Sequence, residues 1–429
     1  MNVPLVRPAP PKLSLAVAEL QALEQSGVFS NFGPINTRFE QEMVTRFFGG
    51  EGACMTVCNA TIGLMLAIKE VVGEKAHGKF ALMPGFTFAA AAHSALWCGL
   101  TPLLCDIRQD TWAADPTAEV EMLTRYAGKI AVIVPYATFG YPIDVDRYQR
   151  LSTRFGVPVV IDGAASLGTF DGNGRGFGSG FAGSVAFSMH ATKSFAVGEA
   201  GLIYSADTAR IARLRTMSSF GFGEPRTATM PGLNGKLSEI GALLGQLRLA
   251  DYDRILAHRA ELFDRYRAAL PELQFQPKAP GSQAHQFVPA LLPSAIQSRR
   301  ATIRTELADQ GITTGAYFCP HLFEQPYFQR TCVASRLPVC DEVSARIISL
   351  PLFDEMTHKE VDQVAASLSA LMRLREQARR PQKPQQPQRS EKTIPLVYTA
   401  VSRTSRGRRL RQVGHDAKRP QQRVLHGKI

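Results

Sequence analysis

The chain has 429 residues, of which 45% are hydrophobic and 20% charged, a composition typical of a globular protein with two or three domains. The first thirteen residues are rich in proline and contain no uninterrupted apolar core, and no later apolar run could span a bilayer, so we expect neither a signal peptide nor a membrane anchor. The seven cysteines are scattered without CxxC spacing, which predicts reduced packing residues in a cytoplasmic protein and no metal site.

The net charge of +12 belongs to the C-terminal end of the chain. Residues 379–429 contain fourteen Lys and Arg against two acidic residues, whereas the rest of the chain has equal numbers of basic and acidic residues. A Pro/Gln/Arg-rich segment with so few apolar residues is predicted to be disordered. We therefore predict a folded body that does not bind nucleic acid, and we assign any nucleic-acid binding to the tail.

The hydrophobic periodicity predicts an alternation of helices and strands. A strand over 130–134, a helix over 144–155 capped by Asp144 and ended by Gly156, and a strand over 157–161 form a βαβ unit, which implies a parallel sheet. The other predicted helices cover 13–26, 37–48, 62–72, 209–217, 238–270, 298–310 and 359–372, and the other predicted strands cover 55–58, 81–83, 103–106, 185–187 and 313–318.

The junction Asn59-Ala60-Thr61 connects a predicted strand to a predicted helix. Free backbone N–H groups and the positive end of the helix dipole meet at such a junction and can bind a phosphate group. We therefore predict that Ala60 and Thr61 contact a phosphate. A threonine that opens a helix is more often only an N-cap, so the junction is one part of a larger pattern.

Asp162 and Lys193 carry the chemistry that the sequence indicates. Asp162 closes the strand 157–161, and ligands of parallel sheets bind beyond such strand ends. Lys193 follows the apolar run 185–187 and the polar Ser188. Pyridoxal 5′-phosphate (PLP) requires a lysine that forms a Schiff base with its aldehyde and a carboxylate that keeps its pyridine nitrogen protonated. On these residues alone, a solvated lysine and a capping aspartate are the commoner explanation.

The sequence around the lysine resembles a motif of a known family. The sequence Phe187-Ser188-Met189-His190-Ala191-Thr192-Lys193, followed by Gly198-Glu199-Ala200-Gly201, is similar to the lysine motif of the DegT/DnrJ/EryC1/StrS aminotransferases. The resemblance covers roughly residues 15 to 370. It implies an α/β protein of the aspartate-aminotransferase-like PLP fold (fold type I), with a mainly parallel central sheet in its large domain and a smaller α+β C-terminal domain. The predicted parts are a large PLP-binding domain with an N-terminal helical segment (1–250), the small domain (251–375) and the basic tail (376–429).

The resemblance also implies the roles of single residues. Lys193 is the implied catalytic residue, and Phe88, at the end of a Pro-x-x-Thr-aromatic motif, is the implied stacking partner of the PLP ring. In relatives the residue matching Asn234 reaches the phosphate of the neighbouring subunit, which implies a homodimer. The other implied cofactor contacts are Ala60, Thr61, Asp162 and Ser188, and the implied substrate contacts are Asn31 and His321.

The sequence departs from the family pattern at three places. Ala165 stands where the Asp-Ala-Ala-Gln motif has glutamine, and Asn59-Ala60-Thr61 stands where relatives have Ser-Gly-Thr. Leu233 and Gly235 replace the aromatic residues that usually flank Asn234. The alanine at 165 puts the substrate class in doubt, but the lysine and the aspartate are both present.

The predicted function is that of a PLP-dependent aminotransferase. By analogy, it moves an amino group from glutamate to a keto-sugar on a nucleotide, in surface-polysaccharide or secondary-metabolite sugar biosynthesis, with ping-pong kinetics. Lysine at position 193 argues against those relatives that carry histidine there and dehydrate sugars. Two alternatives stay open: a PLP enzyme of the same fold that acts on a non-sugar ketone or an amino acid, and a non-catalytic regulatory or nucleic-acid-binding protein that uses the basic tail.

Overall fold

The computed structural model describes residues 2–74 and 76–373, so the predicted tail lies outside the described residues. The α-helices are α1 (Val17–Ser26), α2 (Pro34–Phe48), α3 (Ala60–Val72), α4 (Ala89–Trp97), α5 (Pro116–Arg125), α6 (Val145–Phe155), α7 (Thr208–Met217), α8 (Glu239–Ala269), α9 (Arg300–Asp309), α10 (Pro326–Thr331), α11 (Pro338–Arg346) and α12 (His358–Arg373). The strands are β1 (Ala53–Val57), β2 (Phe80–Pro84), β3 (Thr101–Cys105), β4 (Ile130–Ile133), β5 (Val160–Asp162), β6 (Ser184–Ser188), β7 (Gly201–Ser205), β8 (Val288–Leu291), β9 (Val333–Ala334) and β10 (Ile347–Leu350). Within the described ranges, no helix has both the length and the apolar character needed to cross a bilayer.

Local sequence signals place the ends of the helices. The Asp144 carboxylate accepts a hydrogen bond from the Arg147 N–H at 2.8 Å and caps α6, and Gly156 follows the last turn with a φ of 64°. Ser238 caps α8 through the Gly241 N–H at 3.1 Å. The predictions for both helices are therefore confirmed to within one residue at each end.

Two four-stranded sheets, in the orders β1-β7-β6-β5 and β4-β2-β3-β9, meet at β5 and β4 and together form the central sheet. Single bridges from Ile133 to Val159 and from Tyr136 to Asp162 join the β4 side of this sheet to the β5 side. β5 is parallel to β6, and β4, β2, β3 and β9 run parallel to one another, whereas β7 is antiparallel to both of its neighbours. The predicted mainly parallel sheet is confirmed.

Apolar side chains cover both faces of this sheet. Along β2, Leu82 belongs to one buried cluster, together with Phe39 and Phe187, while Ala81 and Met83 belong to a second cluster. Successive side chains of a strand point to opposite faces, so the two clusters lie on the two sides of the sheet. A sheet that is buried on both faces has its polar chemistry at the strand ends.

Part of α8 and part of the chain that follows it pack around a third apolar cluster. β8 and β10 pair in antiparallel fashion, and Phe263, Leu307 and Leu368 bring α8, α9 and α12 together beside them. The predicted boundary between a large and a small domain, at residue 250, falls inside α8. The division into domains stays a prediction.

The predicted strand over 313–318 is wrong. Gly315 makes a single bridge to Ser349, and the chain then turns at Tyr317 and Phe318. A β-ladder needs consecutive paired residues, and the turn interrupts the pairing after this contact. The turn instead places two aromatic side chains at the wall of a cavity.

Candidate active site

A cavity of about 590 Å³ lies at the carboxyl edge of the sheet. Asp162 is the last residue of β5, Ser188 is the last residue of β6, and Ala60 is the first residue of α3. Open α/β sheets bind ligands at this edge. The residues that line the cavity are Asn59, Ala60, Thr61, Ile62, Leu64, Phe88, Ala90, Tyr136, Phe139, Asp162, Ala164, Ser188, His190, Thr192, Lys193, Glu199, Gln286, Phe287, Tyr317 and Phe318.

Lys193 lies in the loop between β6 and β7. Its backbone N–H donates to the His190 carbonyl at 2.8 Å, and its Nζ donates to Gln286 Oε1 at 2.9 Å. Loss of solvent around the amine lowers the pKa of Lys193 to about 8, although the negative charge of Asp162 acts in the opposite direction. An appreciable fraction of the amine is therefore neutral near pH 7, as a nucleophile or a general base requires.

Asp162 is almost completely buried, with 2% of its surface exposed. Its Oδ1 accepts a hydrogen bond from the Ala164 N–H at 3.0 Å. Burial raises the pKa of Asp162 to about 6, while this hydrogen bond and the nearby Lys193 favour the ionised form. A buried carboxylate of this kind is stabilised by a cationic partner placed in the cavity.

The N-terminus of α3 forms another side of the cavity. Asn59 caps the helix by accepting a hydrogen bond from the N–H of its third residue at 2.9 Å, and the first N–H groups of a helix have no acceptor within it. Gly201 of β7 packs closely against this turn, because a Cβ at 201 would lie 2.7 Å from the Ala60 nitrogen. With the hydroxyl groups of Thr61 and Ser188 at its border, this part of the cavity suits an anion.

A further wall of the cavity is aromatic. The ring centroid of Phe318 lies 5.3 Å from that of Phe139, 5.9 Å from that of Tyr136 and 6.1 Å from that of Phe88. Phe88 is 55% exposed, so a flat group in the cavity can pack against its ring. These rings offer apolar area to a ligand.

Three of the predicted residues are not among those that line the cavity. Asn31 is an exposed turn residue with a φ of 67°, and Asn234 is exposed, with its Oδ1 accepting a hydrogen bond from Lys236 at 2.7 Å. His321 is buried, and its Nε2 lies 2.8 Å from Asp341 Oδ1. These three assignments concern a bound substrate or a second subunit and stay predictions. The predicted residues that the structure brings to one cavity are Ala60, Thr61, Phe88, Asp162, Ser188 and Lys193.

The sequence analysis missed several lining residues, among them Tyr136 and Gln286. Tyr136 follows the end of β4, so the strand-end rule that singled out Asp162 applies to it as well. Gln286 is 93 residues away from Lys193 along the chain, and no local pattern marks it.

The sequence pattern of the DegT/DnrJ/EryC1/StrS aminotransferase family matches residues 14–369. The chain belongs to this family. It is a family of PLP-dependent aminotransferases, so the resemblance carried by the lysine motif is confirmed, and so is the predicted enzyme class.

Solved structures and relatives agree with this assignment. The crystal structure of a Bacillus cereus protein, assigned as a PLP-dependent aminotransferase, has 36% sequence identity and a TM-score of 0.82, over 86% of this chain and 100% of its own. The structure of DesI, determined in the presence of its TDP-sugar product, has 28% identity and a TM-score of 0.79, over 88% of this chain and 95% of its own. The Mycobacterium tuberculosis protein Rv3402c is 30% identical, over 86% of this chain and 89% of its own length. The predicted fold is thus confirmed.

The side chains of the cavity fit PLP. Lys193 offers an amine for the aldehyde, Asp162 offers a buried carboxylate for the ring nitrogen, and Phe88 offers a face for the ring. The start of α3 and the neighbouring hydroxyl groups suit the phosphate.

We expect the capture of PLP by the cofactor-free protein to depend on pH through Lys193. Only the neutral amine attacks an aldehyde, so a pKa of about 8 makes the capture rate rise with pH and level off above about pH 8. A lysine at the ordinary value of 10.5 would still gain reactivity beyond pH 10. The rate of colour formation after mixing with PLP, measured between about pH 6 and pH 10, checks this. A rate that is still rising at the upper end would contradict it.

Proposed function

We propose that this protein transfers an amino group from glutamate to a keto-sugar carried on a nucleotide. The proposal is carried by the convergence of Lys193, Asp162 and the N-terminus of α3 on one cavity, at the carboxyl edge of a sheet. Support for the sugar comes from DesI, which has the same fold at 28% identity and was crystallised with its TDP-sugar product. The aminated sugar would serve surface-polysaccharide or secondary-metabolite biosynthesis.

Each residue has a definite task in this proposal. Bound PLP supplies an electron sink for the electron pair released at the substrate carbon. Lys193 would hold the cofactor through Nζ, and its free amine would take the proton from the substrate carbon that bears the nitrogen and later return a proton to the second substrate. Asp162 would hold the protonated ring nitrogen by a charge-assisted hydrogen bond, and Phe88 would pack against the ring.

The phosphate is assigned to the N–H groups at the start of α3 and to the hydroxyl groups of Thr61 and Ser188. Among the described residues that line the cavity, Lys193 is the only lysine or arginine. A phosphate and the carboxylates of an amino donor carry more negative charge than one lysine balances. Additional groups that donate hydrogen bonds to these oxygen atoms are therefore needed. We propose that Asn234 of a second copy supplies one of them, in a homodimer.

A non-sugar ketone is the second candidate substrate, and the aromatic wall favours it. Phe139, Phe287 and Phe318 give the cavity apolar area, and burying such area on a ligand contributes about 25 cal/mol per Å². Ala165, which stands where the family motif has glutamine, is buried and offers no polar group from its side chain.

The deciding experiment is a screen of nucleotide-linked keto-sugars and apolar ketones with glutamate as amino donor. We expect a keto-sugar to release 2-oxoglutarate in step with formation of the amino sugar, at a kcat on the order of 1 to 10³ s⁻¹. Release is measured by a coupled dehydrogenase assay and the amino sugar by mass spectrometry. Turnover of an apolar ketone, with none on any keto-sugar, would replace the sugar by the second candidate.

A chain that ends at residue 378 is the control for the regulatory alternative. The enzyme hypothesis predicts the same turnover as that of the full chain, because the residues assigned to catalysis all precede this end. The regulatory hypothesis predicts no turnover in either chain, together with a loss of nucleic-acid affinity on truncation. An electrophoretic shift assay beside the activity assay separates the two.

A further inference from the structure

Gln286 is the side chain that meets the lysine amine in the cavity. Lys193 Nζ donates to Gln286 Oε1 at 2.9 Å, and Gln286 Nε2 lies 3.4 Å from Thr192 Oγ1. Thr192 Oγ1 in turn lies 2.8 Å from His190 Nδ1. Because its nitrogen is engaged by the hydroxyl group, the amide presents its oxygen to the amine.

A buried arginine holds the backbone of Gln286. Arg259 Nη1 donates to the carbonyl groups of His285 and Gln286, at 3.0 Å and 3.2 Å. Arg259 is 2% exposed, and its Nε donates to Asp354 Oδ1 at 2.8 Å. Charge-assisted hydrogen bonds from a rigid, buried guanidinium fix the position of the backbone that they contact.

The carboxylate of Asp354 is also linked to the loop that carries the lysine. Arg248 Nη1 donates to Asp354 Oδ2 at 2.8 Å, and Arg248 Nε donates to the Ala196 carbonyl at 3.1 Å. The side chains of Arg248 and Asp354 are both at least nine-tenths buried. One aspartate therefore links, through two arginines, the loop of Lys193 to the segment of Gln286.

These contacts come from one face of α8. Arg248, Tyr252 and Arg259 are spaced by four and seven residues, so they lie along the same side of the helix. Tyr252 adds a contact of its own, because its hydroxyl oxygen lies 2.8 Å from Ser194 Oγ, next to the lysine. This helix face therefore contacts both the loop that carries the amine and the segment that carries the amide.

We propose that Gln286 is a positioning residue for the Lys193 amine, in the steps in which the lysine is not bonded to the cofactor. These steps rest on the proposed function, whereas the contact between the two side chains does not. By accepting one N–H, the amide orients the nitrogen and leaves its lone pair available for the proton of the substrate carbon. The neutral amide of Gln286 orients the amine in this way without strongly favouring its protonated form, as a carboxylate at the same place would.

The titration of Lys193 reports on residue 286 because only that side chain of the cavity is substituted in the variants. The other titratable side chains that line the cavity are Tyr136, Asp162, His190, Glu199 and Tyr317. They come from several elements and are all kept in the variants, so we expect their combined effect on the amine to be the same in wild-type and variant protein. A shift of the midpoint therefore measures the substitution.

The first test follows the reaction of Lys193 with acetic anhydride in the full-length, cofactor-free chain, read by peptide mass spectrometry as a function of pH. Gln286→Glu places a carboxylate beside Nζ, and we expect the midpoint of labelling to rise by about one pH unit or more. Gln329→Glu, the same change at an exposed position of α10, is the matched control and is expected to leave the midpoint unchanged. A midpoint in Gln286→Glu equal to that of the control would overturn the proposal.

The second test follows the capture of PLP, trapped at Lys193 with borohydride. Gln286→Met keeps the length of the side chain and removes the acceptor, so we expect the capture rate at a fixed pH to fall about tenfold. A wild-type rate in this variant would also overturn the proposal. If the wild-type protein itself captures no PLP, the proposed function is rejected, while the labelling test, which needs no cofactor, still decides the role of Gln286. Melting curves confirm that each variant is folded.

Discussion

Replacing Lys193 by alanine is expected to abolish amino transfer, with a fall in kcat/KM of at least about 10⁴-fold. The amine both attaches the cofactor and moves the proton at the substrate carbon, and among the described lining residues no other lysine could take over either task. We expect the variant to release no 2-oxoglutarate above background. It should also develop no colour after it is mixed with PLP and freed of excess cofactor.

The specificity of this effect is checked with two further variants. Lys193→Arg keeps a positive charge but lacks an amine that can react with an aldehyde, so it should be as inactive as the alanine variant. Lys359→Ala removes an exposed lysine of α12 and should leave turnover unchanged. Activity of Lys193→Ala within about tenfold of wild type would mean that a different residue performs the proton transfer.

Replacing Asp162 by asparagine is expected to lower kcat by about 10²-fold to 10³-fold. The amide has nearly the same shape and can still accept the hydrogen bond from the Ala164 N–H, but it carries no negative charge for a protonated ring nitrogen. The electron-withdrawing power of the bound cofactor then falls, because the ring nitrogen loses its proton more easily. Capture of PLP at Lys193 should persist, so attachment and turnover separate in this variant.

The melting temperature of Asp162→Asn tests, independently of turnover, whether the buried carboxylate destabilises the cofactor-free protein. Burial raises the pKa of Asp162 to about 6, which means that ionisation of this side chain is costly in the cofactor-free protein. A neutral asparagine avoids that cost, and we expect the melting temperature of the cofactor-free protein to be unchanged or higher at pH 7. Asp144→Asn, at the cap of α6, is the matched control, because asparagine caps a helix as well as aspartate does. Wild-type kcat in Asp162→Asn would contradict the role assigned to this carboxylate.

Much of this chain could be predicted where neighbouring residues decide the structure. The cap at Asp144 and the glycine at 156 fix the two ends of α6 by short-range hydrogen bonding and backbone conformation. Asp162 was identifiable because an apolar strand ends there, and the end of a parallel strand is where a buried sheet admits polar chemistry. Lys193 was identifiable from a contiguous motif.

The wrong strand prediction and the missed cavity residue have the same physical cause. The segment 313–318 has the residue types of a strand, yet its pairing stops at Gly315, because a ladder also needs a partner in register and this segment turns away. Gln286 is an ordinary polar residue in sequence, and its place beside Lys193 follows from contacts with Lys193 and Thr192 of the lysine loop and with Arg259 of α8, all distant in the chain.

The sequence by itself determined the alternation of helices and strands, the family, and the lysine and aspartate on which the chemistry depends. Each of these features depends on short stretches of neighbouring residues. Only the tertiary structure decided which distant side chains share the cavity with them. The amide at 286 reaches the lysine from a segment that Arg259 of α8 holds, and the aromatic side chains at 317 and 318 line the same cavity. Such packing depends on many weak contacts between segments far apart in the chain, and no local pattern records it.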